Sequence, residues 1–162
     1  MRVKLPRLKY NCVINSPIGK LGFIFVNKRL IKLDFLSSKV PLILPKNTII
    51  RQVATKIKRY FCDHTLRFNF LINIEGTLLQ KKIWRMLQNI PSGTTRTYGE
   101  LAKKIRTSPR VIGNACRLNP LPIVIPCHRV VAVNSIGGFL GKTKSKSRAI
   151  KIKKWLLKHE SS

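Results

Sequence analysis

The sequence predicts a mixed α/β (α+β) protein, strand-rich with one helix in its first half and helical in its second. Three observations predict this. β-Branched and aromatic runs alternate with turn residues from Tyr10 to Phe35, one amphipathic stripe covers residues 48–61, and two short capped helices stand back to back after residue 96. At 162 residues the chain can bury roughly 70% of its unfolded surface, enough for one domain or two small ones with real cores.

Tyr10–Ile14, Leu21–Val26 and Leu30–Phe35 read as strands, joined by turns at Asn15-Ser-Pro-Ile-Gly-Lys20 and Asn27-Lys28, a small antiparallel meander. Ser37 to Lys46 is a proline-containing connection. Ile49, Ile50, Val53, Ile57, Tyr60 and Phe61 fall near helical spacing, so Thr48–Phe61 is one helix with a basic outer face. Cys62-Asp-His64 closes that helix and begins a turn, and Phe68–Ile74 reads as a returning strand. Gly76 marks the boundary between an N-terminal α/β domain, residues 1–75, and a C-terminal domain, residues 76–162.

In the second domain Leu79, Ile83, Met86, Leu87 and Ile90 share one stripe, predicting a helix over Thr77–Ile90 that Pro91-Ser-Gly93 stops. Thr97 and Glu100 have the spacing of a capping box, in which hydroxyl and carboxylate satisfy each other's backbone amides, so a helix starts there and runs to about Ile105. Ser108 is a good N-cap and Pro109 suits the first helical position, which predicts another helix to about Leu118. Two short helices across a tight turn make a helix-turn-helix, although the bare pattern also fits an ordinary helical hairpin. The residues favour the first. Arg110 and Arg117 lie at the two ends of the second helix, with Gly113 and Ala115 between them, giving a basic, thin face suited to a minor groove.

Charge points the same way. The chain has 33 Lys+Arg against 5 Asp+Glu, a formal +28, and such a surface repels itself unless a polyanion screens it. Nucleic acid is therefore the expected partner, with anionic membrane second. No stretch approaches the ~20 apolar residues of a spanning helix, and Met1-Arg-Val-Lys-Leu-Pro-Arg-Leu-Lys9 places charges where a signal peptide needs its apolar core. The four cysteines, 12, 62, 116 and 127, sit at no metal-ligand or disulfide-framework spacing; they read as reduced thiols in a cytoplasmic protein, or a nuclear one in a eukaryote, with no metal expected.

Cys127 is the most informative of them. It lies in Asn119-Pro-Leu-Pro-Ile-Val-Ile-Pro-Cys-His-Arg-Val-Val131, where prolines 120, 122 and 126 fix φ and remove three donors, predicting a rigid extended approach to the sulfur. The imidazole of His128 and the guanidinium of Arg129 follow it, surroundings that favour a thiolate. Plain packing is the competing account, since free cysteine is among the most buried residue types. In an extended chain, moreover, neighbours point to opposite faces, so His128 would need a bend or a water to reach the sulfur.

The pieces Gly76-Thr77, Gln80, Ile83-Trp84, Ile90-Pro91-Ser-Gly93, Thr97-Tyr98, Leu101-Ala102, Gly113, Asn119-Pro120, Pro126-Cys-His-Arg-Val-Val131, Gly137-Gly138 and Trp155-Leu-Leu157 with Glu160, in this order, resemble the O6-alkylguanine-DNA alkyltransferases. The resemblance implies a ribonuclease-H-like α/β domain followed by a winged helix-turn-helix domain. It implies that Cys127 accepts the alkyl group once, as a stable thioether, from O6-alkylguanine and in some cases O4-alkylthymine. His128 would be the base, acting through a water and oriented by Glu160, and Asn119 the hinge of the active-site turn. Tyr98 and Gly99 would meet the backbone at the flipped nucleotide and Arg110 would fill the vacated space; Gly113, Ala115 and Arg117 complete the helix face on DNA. The base pocket would include the carbonyls of Cys127 and Val130, the wall of Phe139, which stands where tyrosine is common, and the amide near Leu140. Double-stranded DNA containing alkylated bases is the implied partner of a monomer that needs no cofactor and no membrane.

Between Gly141 and Trp155 the chain carries an additional basic stretch, Lys142-Thr-Lys-Ser-Lys-Ser-Arg148, which reads as a solvated loop that strengthens backbone binding. Two rival functions remain at this stage. A non-catalytic sensor of alkylated DNA would lack the acceptor cysteine, and a helix-turn-helix regulator or packaging protein would need no thiol. A cysteine hydrolase would need an oxyanion site, which nothing in the sequence signals.

Overall fold

The computed structural model describes residues 9–162, so the charged start that argues against a signal peptide lies, apart from Lys9, outside the described residues. Two compact units make up the chain. One comprises residues 9–62 with Arg67–Ile74, the other Asp63–Leu66 with Glu75–Ser162.

In the first unit β1 (Cys12–Ser16), β2 (Gly19–Val26) and β3 (Arg29–Leu36) form the expected meander, antiparallel in that order. Asn27 and Lys28 both take positive φ (48° and 64°), the conformation of the two-residue turn whose twist matches the flanking strands. After the connection comes α1 (Thr48–Tyr60), capped by Asn47 Oδ1, which accepts from Ile50 N at 3.0 Å. Its inward stripe, Ile50, Val53, Ala54, Ile57 and Tyr60, is buried, as are Val13, Leu21, Phe23, Leu30 and Leu33 of the sheet.

Phe68–Ile74 is not a strand. The alternation of exposure is kept, but its ladder is a single parallel bridge at Ile72 and Leu30, with Leu30 N donating to Leu71 O (3.1 Å) and Asn73 N to Leu30 O (3.0 Å). Phe68 packs instead on Tyr60 and Phe70. A single bridge and aromatic packing, rather than a ladder, place this segment.

The second unit contains α2 (Leu78–Gln88), β4 (Arg96–Thr97), α3 (Tyr98–Lys104), α4 (Pro109–Arg117), β5 (Val130–Val131) and α5 (Arg148–Glu160), with β4 and β5 paired in parallel. Thr77 caps α2 in a capping box with Gln80, and Thr97 caps α3 in the predicted box with Glu100. Ser108 caps α4, with Pro109 at its first position. Between α3 and α4, Arg106 takes φ 55° while Thr107 N donates to Ala102 O at 2.9 Å, the closing bond of a Schellman-type end. The helix-turn-helix is thus built by the caps read from the sequence. Trp84 on α2, 1% exposed, ties it to the core by donating its indole N–H to Ala115 O at 2.9 Å.

Candidate active site

The segment from Asn119 to Cys127 does not approach the sulfur as an extended rod. Ile125 N donates to Leu121 O (2.8 Å), Ile123 takes φ 76°, and Cys127 N donates to Ile125 O (2.8 Å) around Pro126 at φ −79°, ψ 65°, an inverse γ-turn. Proline fixes φ but leaves ψ free, and Asn119 uses that freedom. Its Oδ1 accepts from Leu121 N at 2.9 Å, which fixes the amide orientation and points Nδ2 at Ile125 O (2.8 Å) and the Cys127 sulfur (3.1 Å). A β-branched residue at positive φ costs on the order of 1–3 kcal/mol. Here that strain sits four residues before the thiol, inside a turn held by Asn119.

Cys127 opens a 3-10 turn, Cys127–Arg129, so the chain bends at the sulfur instead of running on extended. His128 is fully buried. Its Nε2 faces Glu160 Oε1 at 2.9 Å, and its Nδ1 is buried with no hydrogen-bond partner among the described residues. Glu160, 3% exposed, is not a solvated residue of a C-terminal helix. Arg129 grips it as a fork, Nε to Oε2 and NH2 to Oε1, both at 2.8 Å, and donates NH1 to Ile90 O at 2.5 Å. Gly93 makes room for the end of α5: at φ 78°, a Cβ there would fall 2.8 Å from the Glu160 carbonyl oxygen. A cavity of about 380 Å³ borders Glu160, Thr94, Val131, Ile136 and Leu157, and Cys127 is not in its lining.

Electrostatics set the protonation states. Burial pushes the Cys127 thiol up to about 11, against the opposing pull of the Asn119 hydrogen bond and the nearby Lys153 charge. Burial also holds His128 below its ordinary value, although Glu160 acts in the other direction. Near neutral pH the site therefore holds a protonated thiol and a neutral imidazole, a proton donor and a base.

Lys153 is the residue that sequence reasoning missed. It is fully buried on α5 and donates to Val130 O (2.6 Å) and Gly138 O (2.9 Å), with its ammonium 5.9 Å from the centre of the Tyr98 ring. Burial pulls its pKa down to about 8. A signal was present: 153, 156 and 160 have the i, i+3, i+7 spacing of an inward stripe, on which a lysine needs a buried partner. Arg129 was noticed only as a neighbour of the sulfur; its grip on Glu160 depends on a helix end 31 residues away.

The other expected residues fall into two groups. Val130 and Phe139 are buried, Leu140 is half-buried at φ 50°, and Tyr98 Oη lies 3.4 Å from Gly138 O, which together with Val130 O also accepts from Lys153. Arg110 and Arg117 are exposed, and Gly99 and Gly113 half-buried, as a binding face requires. Ala115 does not belong to that face. It is 2% exposed, because the helical period sets it with Ile112 and Cys116 on the inward side of α4. Cys127 itself is 2% exposed, so the sulfur is covered in this conformation, by a wall that includes polar groups. Among the described residues no group of three or more His, Cys, Asp or Glu side chains is arranged to hold a metal ion.

Fold and site define a helix-turn-helix protein with a buried cysteine set up for covalent chemistry. The family described as "6-O-methylguanine DNA methyltransferase, DNA binding domain" matches residues 78–162. A methylated-DNA--protein-cysteine methyltransferase of Methanosarcina acetivorans is 33% identical over 94% of this chain and 99% of the relative, and one of Sulfolobus acidocaldarius 32% identical over 91% and 90%. The crystal structure of the Mycobacterium tuberculosis O6-methylguanine methyltransferase is similar at a TM-score of 0.76 and 29% identity, covering 92% of this chain and 90% of that one. The same organism's protein in complex with DNA gives 0.75 and 30%, covering 92% and 91%. This chain belongs to the methylated-DNA--protein-cysteine methyltransferase family.

Among the described residues no helix is long and apolar enough to cross a membrane.

Proposed function

We propose that the protein repairs alkylated DNA directly and once per molecule, Cys127 taking the alkyl group from O6 of guanine, or from O4 of thymine, in an everted nucleotide. The observation that carries this reading is the His128 ring, fully buried directly after Cys127 in the chain, with Nε2 on Glu160 and Nδ1 without a partner among the described residues. Nδ1 takes the thiol proton across a bridging water, while Arg129 holds the Glu160 carboxylate and thereby the ring. The sulfur forms an S–C bond as the C–O6 bond breaks, and its electron pair leaves with the base, which takes up a proton; the sum is alkylated guanine and thiol to guanine and thioether. A thioether offers no leaving group, so the protein is consumed.

Asn119 keeps the sulfur aimed by donating to it. Tyr98, Gly99, Arg110, Gly113 and Arg117 take the duplex, with Arg110 occupying the space the base leaves and Tyr98 at the turned phosphate. The carbonyls of Cys127 and Val130, the Phe139 ring and the amide near Leu140 enclose the base. Because the sulfur is covered, docking needs a local opening, which limits reaction to bases that reach the wall already unstacked. The transfer site lies in the C-terminal domain, residues 76–162, after an N-terminal α/β domain over residues 1–75, and the protein acts as a cytoplasmic or nuclear monomer.

Intact mass spectrometry after mixing with a duplex carrying O6-methylguanine tests the proposal. One methyl group is expected per molecule, on the Cys127 peptide; a protein that binds this duplex selectively and gains no mass would be a sensor instead. Lys153 gives a second prediction. Lys153→Met removes the ammonium donor from the buried Val130 carbonyl, a loss of about 1–3 kcal/mol to be read from denaturant midpoints, while Gly138 O keeps the Tyr98 hydroxyl. Loss of the ammonium also removes a charge that favours the thiolate. Single-turnover transfer should therefore slow more at pH 7 than at pH 10, whereas a purely structural lysine would slow both alike.

A further inference from the structure

We propose that the loop Gly141–Ser147 is a second DNA-backbone-binding surface, continuous with the helix-turn-helix, in which Lys142, Lys144 and Lys146 take phosphates beside the end of α4. This rests on the reading of the chain as a DNA-repair protein and extends it to a segment that the transfer chemistry does not use.

Four observations carry it. Lys142, Lys144 and Lys146 are exposed, and none forms an ion pair or side-chain hydrogen bond among the described residues. No Asp or Glu occurs in the sequence between Glu100 and Glu160, so no acidic residue lies in the loop or next to it along the chain. The loop is also ordered at both ends: Phe139 and Lys142 exchange backbone hydrogen bonds at 2.8 and 2.9 Å, Ser147 N donates to Lys144 O at 2.9 Å, and Ser147 caps α5. Its place beside the DNA face is set by Gly141, at φ 77°, where a Cβ would come within 3.1 Å of Cγ and Cδ of Arg117. A side chain there would have to push the arginine stem aside by a few tenths of an ångström and take a strained φ, and Arg117 is held in place by donating to Asn114 Oδ1 at 2.8 Å.

The chemistry of the loop selects its ligand. Cations stand at every second position with hydroxyls of Thr143, Ser145 and Ser147 between them, so ammonium and hydroxyl donors alternate along the chain. Lysine ammoniums are point charges without the planar fork that reads base edges, so this surface tracks phosphodiesters and adds affinity independent of sequence. Continuity with Arg117 identifies the duplex held by the helix-turn-helix as the source of those phosphates.

The test compares the full-length protein with K142Q/K144Q/K146Q and with a control that loses the same three charges from the N-terminal unit, K28Q/K39Q/K46Q. Duplex affinity is measured from 50 to 200 mM KCl, and transfer from free O6-benzylguanine is measured in parallel. The loop variant is expected to lose between about 2 and 3 from the magnitude of the log–log salt slope, roughly 0.9 for each phosphate contact removed, while K144Q alone loses about one such step. The control should keep the wild-type slope, and free-base transfer should stay at the wild-type rate in all of them. A loop variant with the wild-type slope, or an equal loss in the control, would overturn the proposal. Failure of the wild-type protein to react with either the free base or alkylated duplex would instead count against the repair reading, whatever the loop variants do.

Discussion

Cys127→Ala is expected to abolish alkyl transfer while duplex affinity stays nearly unchanged. The sulfur is the only atom in the proposed scheme that forms a bond to the alkyl carbon, so no residual rate has a route. Its loss should leave the fold in place. The side chain is small, and its one side-chain hydrogen bond comes from Asn119 Nδ2, which keeps its other acceptor, Ile125 O, at 2.8 Å. The proposed DNA face, Arg110, Gly113 and Arg117, is not touched by the substitution. The check pairs intact mass after reaction with a binding isotherm on an unmodified duplex. Loss of binding together with transfer would make Cys127 a packing residue and remove the case for it as acceptor.

His128→Ala should cut transfer at pH 7 by about 10²–10⁴, the usual contribution of a positioned general base. The sign of its pH dependence follows from the two perturbed groups. Burial raises the thiol to about 11, so below that value the thiolate fraction grows tenfold with each unit of pH. A variant without the base must rely on this spontaneous ionisation, and its rate should climb by about tenfold per unit as pH rises from 7 to 10. The wild-type rate should instead change little over this range and fall on the acid side, where the imidazole takes a proton. Burial holds His128 below the ordinary histidine value, which places that fall below the usual histidine range. Glu160→Gln should weaken the base further, because the hydrogen bond and charge of Glu160 are what favour the imidazolium. Rate–pH profiles under single-turnover conditions check all three proteins, and equal loss at pH 7 and pH 10 in His128→Ala would exclude a proton-transfer role.

Local chemistry explains why so much of the fold was legible. Asn27-Lys28, the Thr97–Glu100 box and Ser108-Pro109 each satisfy or shape the backbone within a few residues, so turn and caps stand where the sequence places them. The returning strand expected at Phe68–Ile74 alternates in exposure but pairs only at one bridge, with Phe68 packed on Tyr60 and Phe70, because period two alone does not supply a pairing partner. Ala115 was misplaced for a related reason. A small residue between two arginines suits a thin exposed face and an inward contact equally well, and only the phase of α4 against the core decides. The approach to Cys127 was read as extended because proline content predicts φ, whereas ψ was settled by three hydrogen bonds of Asn119.

By itself the sequence determined the meander, the helices with their caps, the helix-turn-helix and the cationic composition, and it singled out Cys127 as the proposed nucleophile, because each rests on side-chain chemistry or on hydrogen bonds between near neighbours. Tertiary structure alone decided that Glu160 is buried between His128 and Arg129, that Lys153 bridges two carbonyls from inside α5, and that the sulfur is covered. These join residues 15 to 32 positions apart. Burial then fixes the protonation states of thiol and imidazole, and desolvation is a property of packing that no short stretch of sequence carries.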